Sequence, residues 1–412
     1  MIQLPDIPII PISITSTPNN LEPWIQEILN KRLTIFTNFN NYSNFINNLE
    51  DYLNFIFVKV MEYGNIDNYN DVFEQTNGII ISDSIPWNLP ITKIKKQDQF
   101  QWNLQNELII LMINLSQLYN LKSGEIIKLI MDKDNNLETQ KLWLNSFKIF
   151  KKSLEFINFL KNQQIINTSI WEISTIFIQF NENLINCSIQ LSFLTKTIWT
   201  LKNIDYEIMS ENSINYSTLS RLSIYIKQEL NNMLSILKTQ NDSKWTQYIE
   251  NLIKYINGYL GILLSIENYK QDKIGYSIGF LNFSIENITR KSNSNEFEED
   301  SKLKKKFTNF KTKFNSNDLQ KINNKLRLNQ NLIEKFTNNS IILIDLQNLF
   351  ELLKILNLKY NLENNNLKFD SIPTSQELLI HYLPQGRSIP IDSKIWTPSF
   401  IQTIEKSSSG YY

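Results

Sequence analysis

The chain of 412 residues carries one histidine, His381, and one cysteine, Cys187. A two-histidine metal site is therefore impossible. Any Ser-His-Asp or Cys-His nucleophilic arrangement would have to be built on His381. That residue lies in SQELLIHYLPQGR (375–387), beside an extended, proline-containing stretch. The setting suits surface or packing duty better than proton transfer. A lone cysteine excludes an internal disulfide framework and a cysteine-only zinc site, and it fits a reducing compartment. Neither common glycine-rich phosphate loop occurs. The carboxylates Glu298, Glu299 and Asp300 sit in the polar loop SNSNEFEED (292–300). A helical terpenoid synthase would instead hold Asp-Asp-x-x-Asp on a helix for magnesium. The sequence predicts no enzyme, no cofactor and no metal.

One basic run could do other work: KLKKKFTNFKTKF, residues 302–314. Leu303, Phe307, Phe310 and Phe314 fall at helical spacing, and Lys302, Lys304, Lys305, Lys306, Lys311 and Lys313 fill the other faces. Two readings stand. The helix lies on an anionic membrane surface, or it docks by its phenylalanine stripe and leaves the lysines in solvent. The acidic residues of 296–300 offset part of the charge and favour the second. Over the whole chain Lys+Arg and Asp+Glu are both 41, which argues against a general nucleic-acid binder. No secretory signal opens the sequence, and no apolar run reaches the ~18 residues of a membrane span. The expected location is the cytosol.

These residues must be positioned by helices. Of eleven prolines, seven lie at or before Pro90 and four at or after Pro373. A middle free of helix breakers reads as a helical body. Heavy use of Asn and Ile reads as a coding bias. Residues 2–18 alternate apolar residues with proline and are expected to be extended. A helix should follow from Pro23, with Asn20 as cap, and a second over 41–62. The β-branched runs of 78–97 predict a small β-hairpin. The segment NELIILMINLSQLYN (106–120) is apolar around too much of its circumference to be a surface stripe, so it is an inner helix. Asp98 and Gln101 form its capping pattern, and Ser123-Gly124 should end it. Buried Asn114 then needs a partner such as a neighbouring backbone carbonyl. Further helices are expected near 137–162, 168–200, 213–238, 243–268, 301–335 and 338–362. Around 255–284, Gly258, Gly261 and Gly279 allow an antiparallel pair to approach closely across the turn at Asp272–Gly275. After Pro373 the chain is expected to be extended.

The expected fold class is all-α: stacked antiparallel, tetratricopeptide-like helices with a small N-terminal β-hairpin. One domain should cover 1–400. It comprises an N-terminal part with the first helices (1–97), a helical body (98–362) and an extended return segment (363–400). A flexible tail (401–412) follows.

Several segments together resemble the Bro-one domain of ALIX-type adaptors. Glu107, Leu111, Met112, Ile113, Asn114, Leu115, Leu118, Tyr119 and Asn120 follow the register of that family's Glu-x-x-x-Val-Leu-Phe-Asn-Ile-x-Ala-Leu-Tyr-Ser helix. The preceding β element with Trp87 fits. Phe150, Ser153, Leu154, Glu155, Ile157 and Leu160 occupy the next family helix, with larger residues in place of its Ala-Ala-Gly. Gly275 resembles the family's Tyr-Gly element. Phe369, Ile372 and Pro373 resemble the tyrosine and Val-Pro where the family's chain leaves the helical body. Leu383-Pro384-Gln385-Gly386-Arg387 and Thr397-Pro398 resemble the ending of the PalC family, fungal pH-response regulators with a divergent Bro-one domain. The patches span nearly the whole chain, in the family's order.

The resemblance implies a boomerang-like helical stack with Glu107, Asn114 and Tyr119 as framework. It implies a non-enzymatic adaptor in fungal alkaline-pH signalling. Such an adaptor binds an ESCRT-III core subunit and helps assemble a proteolytic signalling complex at the plasma membrane or endosome. The alternatives are an adaptor for endosomal multivesicular-body cargo sorting and a lysine-rich peripheral membrane scaffold. In the family, an amphipathic C-terminal helix of the ESCRT-III subunit lies in a hydrophobic groove. Helix 176–200, with Leu184, Leu191, Leu194 and Ile198 on one face, is the expected wall, or that face is ordinary core. Gly386 allows a turn. Arg387 then either clamps the tail to a carboxylate on the body or reaches an acid on a partner.

Overall fold

A computed structural model describes residues 1–14, 17–18, 21–36, 41–93, 101–165, 169–201, 214–240, 242–291, 326–336 and 340–401. The fold is all-α, with only short strands. Two compact units emerge. The first comprises Met1–Ile189, Ile236–Asp242 and Ile391–Tyr412; the second comprises Gln190–Ser235 and Ser243–Pro390.

The first unit is organised around one inner helix. In chain order it contains β1 (Ile10–Pro11), α1 (Pro23–Arg32), α2 (Tyr42–Gly64), α3 (Val72–Thr76), β2 (Ile80–Ser82), β3 (Trp87–Asn88) and β4 (Trp102–Asn103). Then come α4 (Leu104–Met131), α5 (Leu137–Lys161) and the start of α6 (Thr175–Leu201). Every residue of α4 from Leu104 to Leu121 is buried. Two of its polar residues, Asn114 and Asn120, bond the extended N-terminal segment. Asn114 donates to Ile9 O at 2.8 Å and accepts from Ile9 N at 3.2 Å, the reciprocal bond of a strand neighbour. Asn120 donates to Ile2 O, and Ser188 Oγ accepts from Ile2 N. A proline-rich segment cannot complete a ladder, and side-chain amides replace the missing strand.

α4 and α5 run antiparallel in close contact. Ser116 meets Ser153 and, two turns on, Ser123 meets Ser146, hydroxyl to hydroxyl at 3.2 and 2.8 Å. Ser123 therefore does not end the helix; its small side chain faces the partner, and α4 continues to Met131. Ser153 stands where the sequence comparison leads one to miss small residues. The cap also differs. Asn103, not Asp98, accepts from Asn106 N at 2.8 Å, and Asp98 lies outside the described residues. The β element lies where expected, but it is not a hairpin. β2 pairs with β4 and β3 pairs with β1, both antiparallel. The two strands within 78–97 each found a better partner across the chain. The C-terminal stretch straps this unit. Trp396 is buried against Phe57, Phe156 and Phe159, and its N–H donates to Glu155 O.

The second unit contains the rest of α6, most of α7 (Tyr216–Thr239), α8 (Ser243–Lys270), α9 (Ile274–Ile288), β5 (Thr289–Lys291) and β6 (Leu326–Leu328). It continues with α10 (Gln330–Phe336), α11 (Ser340–Glu363) and α12 (Ser375–His381). α8 and α9 form the expected antiparallel pair. A Cβ at Gly258 would lie 2.6 Å from Ile288 Cγ2, and one at Gly261 would lie 2.6 Å from Phe280 O. Two expectations fail here. Leu326–Leu328 is a strand paired with β5, not helix. The extended return segment contains α12, opened by a capping box in which Thr374 and Glu377 bond each other's backbone N–H. Thr374-x-x-Glu377 before Leu378 is the signal that foretells it. The basic run 302–314, the carboxylates 298–300, Asn20 and the tail beyond Ile401 lie outside the described residues.

Candidate functional site

The first unit owes its geometry to a buried carboxylate. Glu107, in the first turn of α4, is fully buried. It accepts from Arg32 Nε at 2.8 Å, Trp87 Nε1 at 2.7 Å and Trp102 Nε1 at 2.8 Å, with Tyr52 OH at 3.5 Å. Arg32 also donates from Nη1 to Ile12 O and from Nη2 to Pro86 O. One carboxylate thus ties α1, α2, β3, β4 and α4 together. Tyr119 completes a half-exposed triad: its hydroxyl donates to Glu50 at 2.8 Å, and Lys152 reaches both. Burial, with Glu50 beside it, raises the Tyr119 hydroxyl well above its usual range. Glu107, Asn114 and Tyr119 each bond across elements, and to separate partners. Sequence reasoning missed Arg32, which follows Lys31 in NKRLTIF and carries no local signal of burial.

α6 starts where Ser174 Oγ accepts from Phe177 N at 3.2 Å. The expected groove face on this helix is buried. Leu184, in the first unit, is 2 % exposed; Leu191, Leu194 and Ile198, in the second, are 0, 1 and 4 % exposed. These four are core, and a partner cannot reach them in this structure. Apolar spacing alone marks a buried face without saying what buries it. The side of the helix that solvent reaches in the second unit carries Lys196, Thr197 and Thr200. With Ile214, Asn215, Thr218 and Leu219 at the start of α7 they line a cavity of about 320 Å³. Asn215 caps α7 through Thr218 N at 2.9 Å. Burial lowers the Lys196 amine below its usual value. Among the described residues, Thr197, Thr200 and Thr218 with Ile214 and Leu219 line a largely apolar depression, and Lys196 lies at its edge.

The tail is held by backbone. Gln190 donates to Ile389 O at 2.7 Å and accepts from Ile389 N at 3.2 Å. A Cβ at Gly386 would lie 2.7 Å from Gln228 Oε1 and 2.9 Å from Tyr225 N. Close approach, not a left-handed turn, is what requires this glycine. Arg387 N donates to Arg221 O at 3.0 Å, while its side chain is exposed and pairs with no carboxylate among the described residues. The clamp is therefore the peptide group, and the guanidinium is free to reach outward. His381 is exposed at the end of α12 and Cys187 is buried. Among the described residues no three His, Cys, Asp or Glu side chains gather to hold a metal, and no helix is long and apolar enough to cross a membrane.

Residues 102–412 match the family of unknown function DUF5355. The chain belongs to this family. In sequence no curated protein matches it. In structure this DUF5355 chain is similar to a Bro1 domain solved to explain endosomal targeting, at 14% identity and a TM-score of 0.52. That match covers 95% of this chain and 88% of the other. It is also similar to the ALIX Bro1 domain in complex with CHMP4C, at 10% identity and 0.52, covering 90% and 84%. Against ALIX in complex with a viral late-domain peptide the values are 10% and 0.53, covering 92% of this chain and 44% of the longer one. At such identities the likeness is one of fold: this chain has a Bro1-like fold.

Proposed function

We propose that the protein is a non-enzymatic adaptor that docks the amphipathic C-terminal helix of an ESCRT-III subunit and acts in fungal alkaline-pH signalling. The observation that supports this most is the Bro1-like fold over nearly the whole chain, with one neighbour captured holding CHMP4C, an ESCRT-III subunit. The Leu383–Arg387 and Thr397-Pro398 ending, similar to that of the PalC family, supports the pH-response branch over general cargo sorting. The adaptor is a single Bro1-like domain recruited from the cytosol to endosome or plasma membrane. Its docking surface is the depression at Lys196, Thr197, Thr200, Ile214 and Leu219, with the buried Leu191, Leu194 and Ile198 as the core of the same helix. A helix offering apolar anchors at i, i+3, i+4 and i+7 would seat one anchor there.

The test is binding of the full chain to a peptide of the ESCRT-III core subunit's C-terminal helix, with Thr197→Glu alongside. A charge placed at buried Leu191 would enter the core and report folding, so the substitution is made at the solvent-reached Thr197. Thr197→Glu keeps the fold and is expected to weaken binding by roughly tenfold or more, an anchor-sized loss. Equal binding by both proteins moves the docking surface elsewhere. No binding by the wild type removes the adaptor reading. Loss of growth at alkaline pH without missorted endosomal cargo would separate the signalling branch from the sorting branch.

A further inference from the structure

The turn that joins α11 to α12 presents large apolar side chains to solvent. Leu367 is 72 % exposed and Phe369 is 75 % exposed, and Ile372 next to them is also exposed. Phe369 adopts φ 57 and ψ 30, the left-handed region. A bulky aromatic there is uncommon and costs conformational energy unless its surroundings impose it. Here they do. Phe369 N donates to Asn364 O at 2.8 Å. The Asn364 side chain bonds Asp370 from both sides, accepting from its N–H at 2.8 Å and donating to its carbonyl at 3.1 Å. Lys368 pairs with Asp272 at 2.8 Å. The loop backbone rests directly on Gly275, where a Cβ would collide with Ser371 O. Below it, Tyr269 bonds Glu363 at 2.7 Å and stacks on Tyr360. The turn is a rigid mount that holds two apolar side chains outward.

The surroundings indicate what it meets. Tyr276, on the first turn of α9, and Tyr382 bond hydroxyl to hydroxyl at 3.0 Å, and Ile380 nearby is 75 % exposed. Tyrosines with an apolar body and a polar tip are what a lipid–water interface selects. Charge near the tip is balanced, with Lys273 and Lys368 against Asp272 and Asp370. A protein partner needs a broad complementary surface, on the order of 800 Å² per side. Single side chains projecting from a convex turn offer little of that, whereas fluid lipid closes around each one.

We propose that Leu367 and Phe369 form an apolar knob that inserts shallowly into the interface of a lipid bilayer. Insertion rests on apolar burial and not on lysine attraction, so it differs in kind from any contact made by the basic run 302–314. The test is co-sedimentation of the full chain with vesicles of pure phosphatidylcholine and of phosphatidylcholine mixed with phosphatidylserine. Phe369→Asn is the informative variant. Asn accepts the left-handed backbone, so the fold is not weakened while the apolar group is removed. The wild type should bind both vesicle types about equally and keep binding at raised salt. Phe369→Asn and Leu367→Ser should each lower partitioning roughly tenfold, with the thermal midpoint of Phe369→Asn no lower than wild type. Binding that needs phosphatidylserine and vanishes with salt overturns the proposal in favour of lysine attraction. Binding unchanged in Phe369→Asn overturns it too. No vesicle binding by the wild type overturns it and leaves the knob to a protein surface.

Discussion

Glu107 in the first unit accepts from a guanidinium, two indoles and a phenol, and its arginine makes two further bonds to backbone carbonyls. Asp345 in the second unit is equally buried, yet among the described residues it accepts from Tyr255 and Tyr259 (2.5 Å) alone, and its Oδ1 has no partner there. Desolvation is similar for the two; compensation is not. Glu107 has a countercharge brought from α1, so the ion pair closes a network of elements. Asp345 has dipoles only. Burial pushes its carboxyl up to about 6, and the two tyrosine bonds pull back against that shift. The same burial, with the carboxylate beside them, raises both tyrosines well above their usual range. One carboxylate is a keystone and the other is a tolerated cost that varies with pH.

The largest effect should come from breaking the keystone. Glu107→Gln leaves Arg32 charged, buried and unpaired, and is expected to lose about 3–5 kcal/mol in urea unfolding. A loss under about 1 kcal/mol would mean that the network does not carry the first unit. Next comes the pH dependence of the second unit. The folded pKa of Asp345 is above its unfolded value, so its neutral form is the one the fold favours. Its contribution is most favourable below pH 4, is lost as pH rises from about 4 to about 6, and is flat above. The span is about 3 kcal/mol at 1.36 kcal/mol per unit. Asp345→Asn should remove that slope from a stability-against-pH curve, and an unchanged slope would assign it to other groups. Tyr259→Phe deletes one of only two donors. It should cost about 1.5–3 kcal/mol at neutral pH and move the midpoint of the slope upward. Tyr52→Phe should be the smallest change, under about 1 kcal/mol, because its bond is long and three better donors remain on Glu107. Equal losses for Tyr52→Phe and Tyr259→Phe would erase the distinction between the two clusters.

Much of the fold was legible. Apolar spacing placed the helices near 41–62, 137–162, 243–268 and 338–362 within a few residues of α2, α5, α8 and α11. The over-apolar 106–120 stretch announced an inner helix, and Asn114 was read as needing a backbone partner, which Ile9 supplies. Strand pairing was not legible, because two-residue strands carry no register of their own and take whichever edge the fold presents. The face with Leu184, Leu191, Leu194 and Ile198 could be read as apolar but not as open or closed. Burial depends on what packs against it, and that is not written in the spacing of one helix. The backbone bond from Arg387 N to Arg221 O was not legible either, because every non-proline residue carries that N–H.

Local chemistry by itself determined that the chain is helical, that prolines keep its N-terminal stretch extended, and that Asn114 would need a partner. Period and propensity are properties of neighbours in sequence, so they survive without the rest of the molecule. Only the tertiary structure decided which partners those were. It brought Arg32 and two tryptophans to Glu107, and left Asp345 with two tyrosines. It also pinned Phe369 outward on a strained turn. Each of these is a contact between residues distant in sequence, chosen by close packing of the whole and by the cost of leaving a buried charge alone.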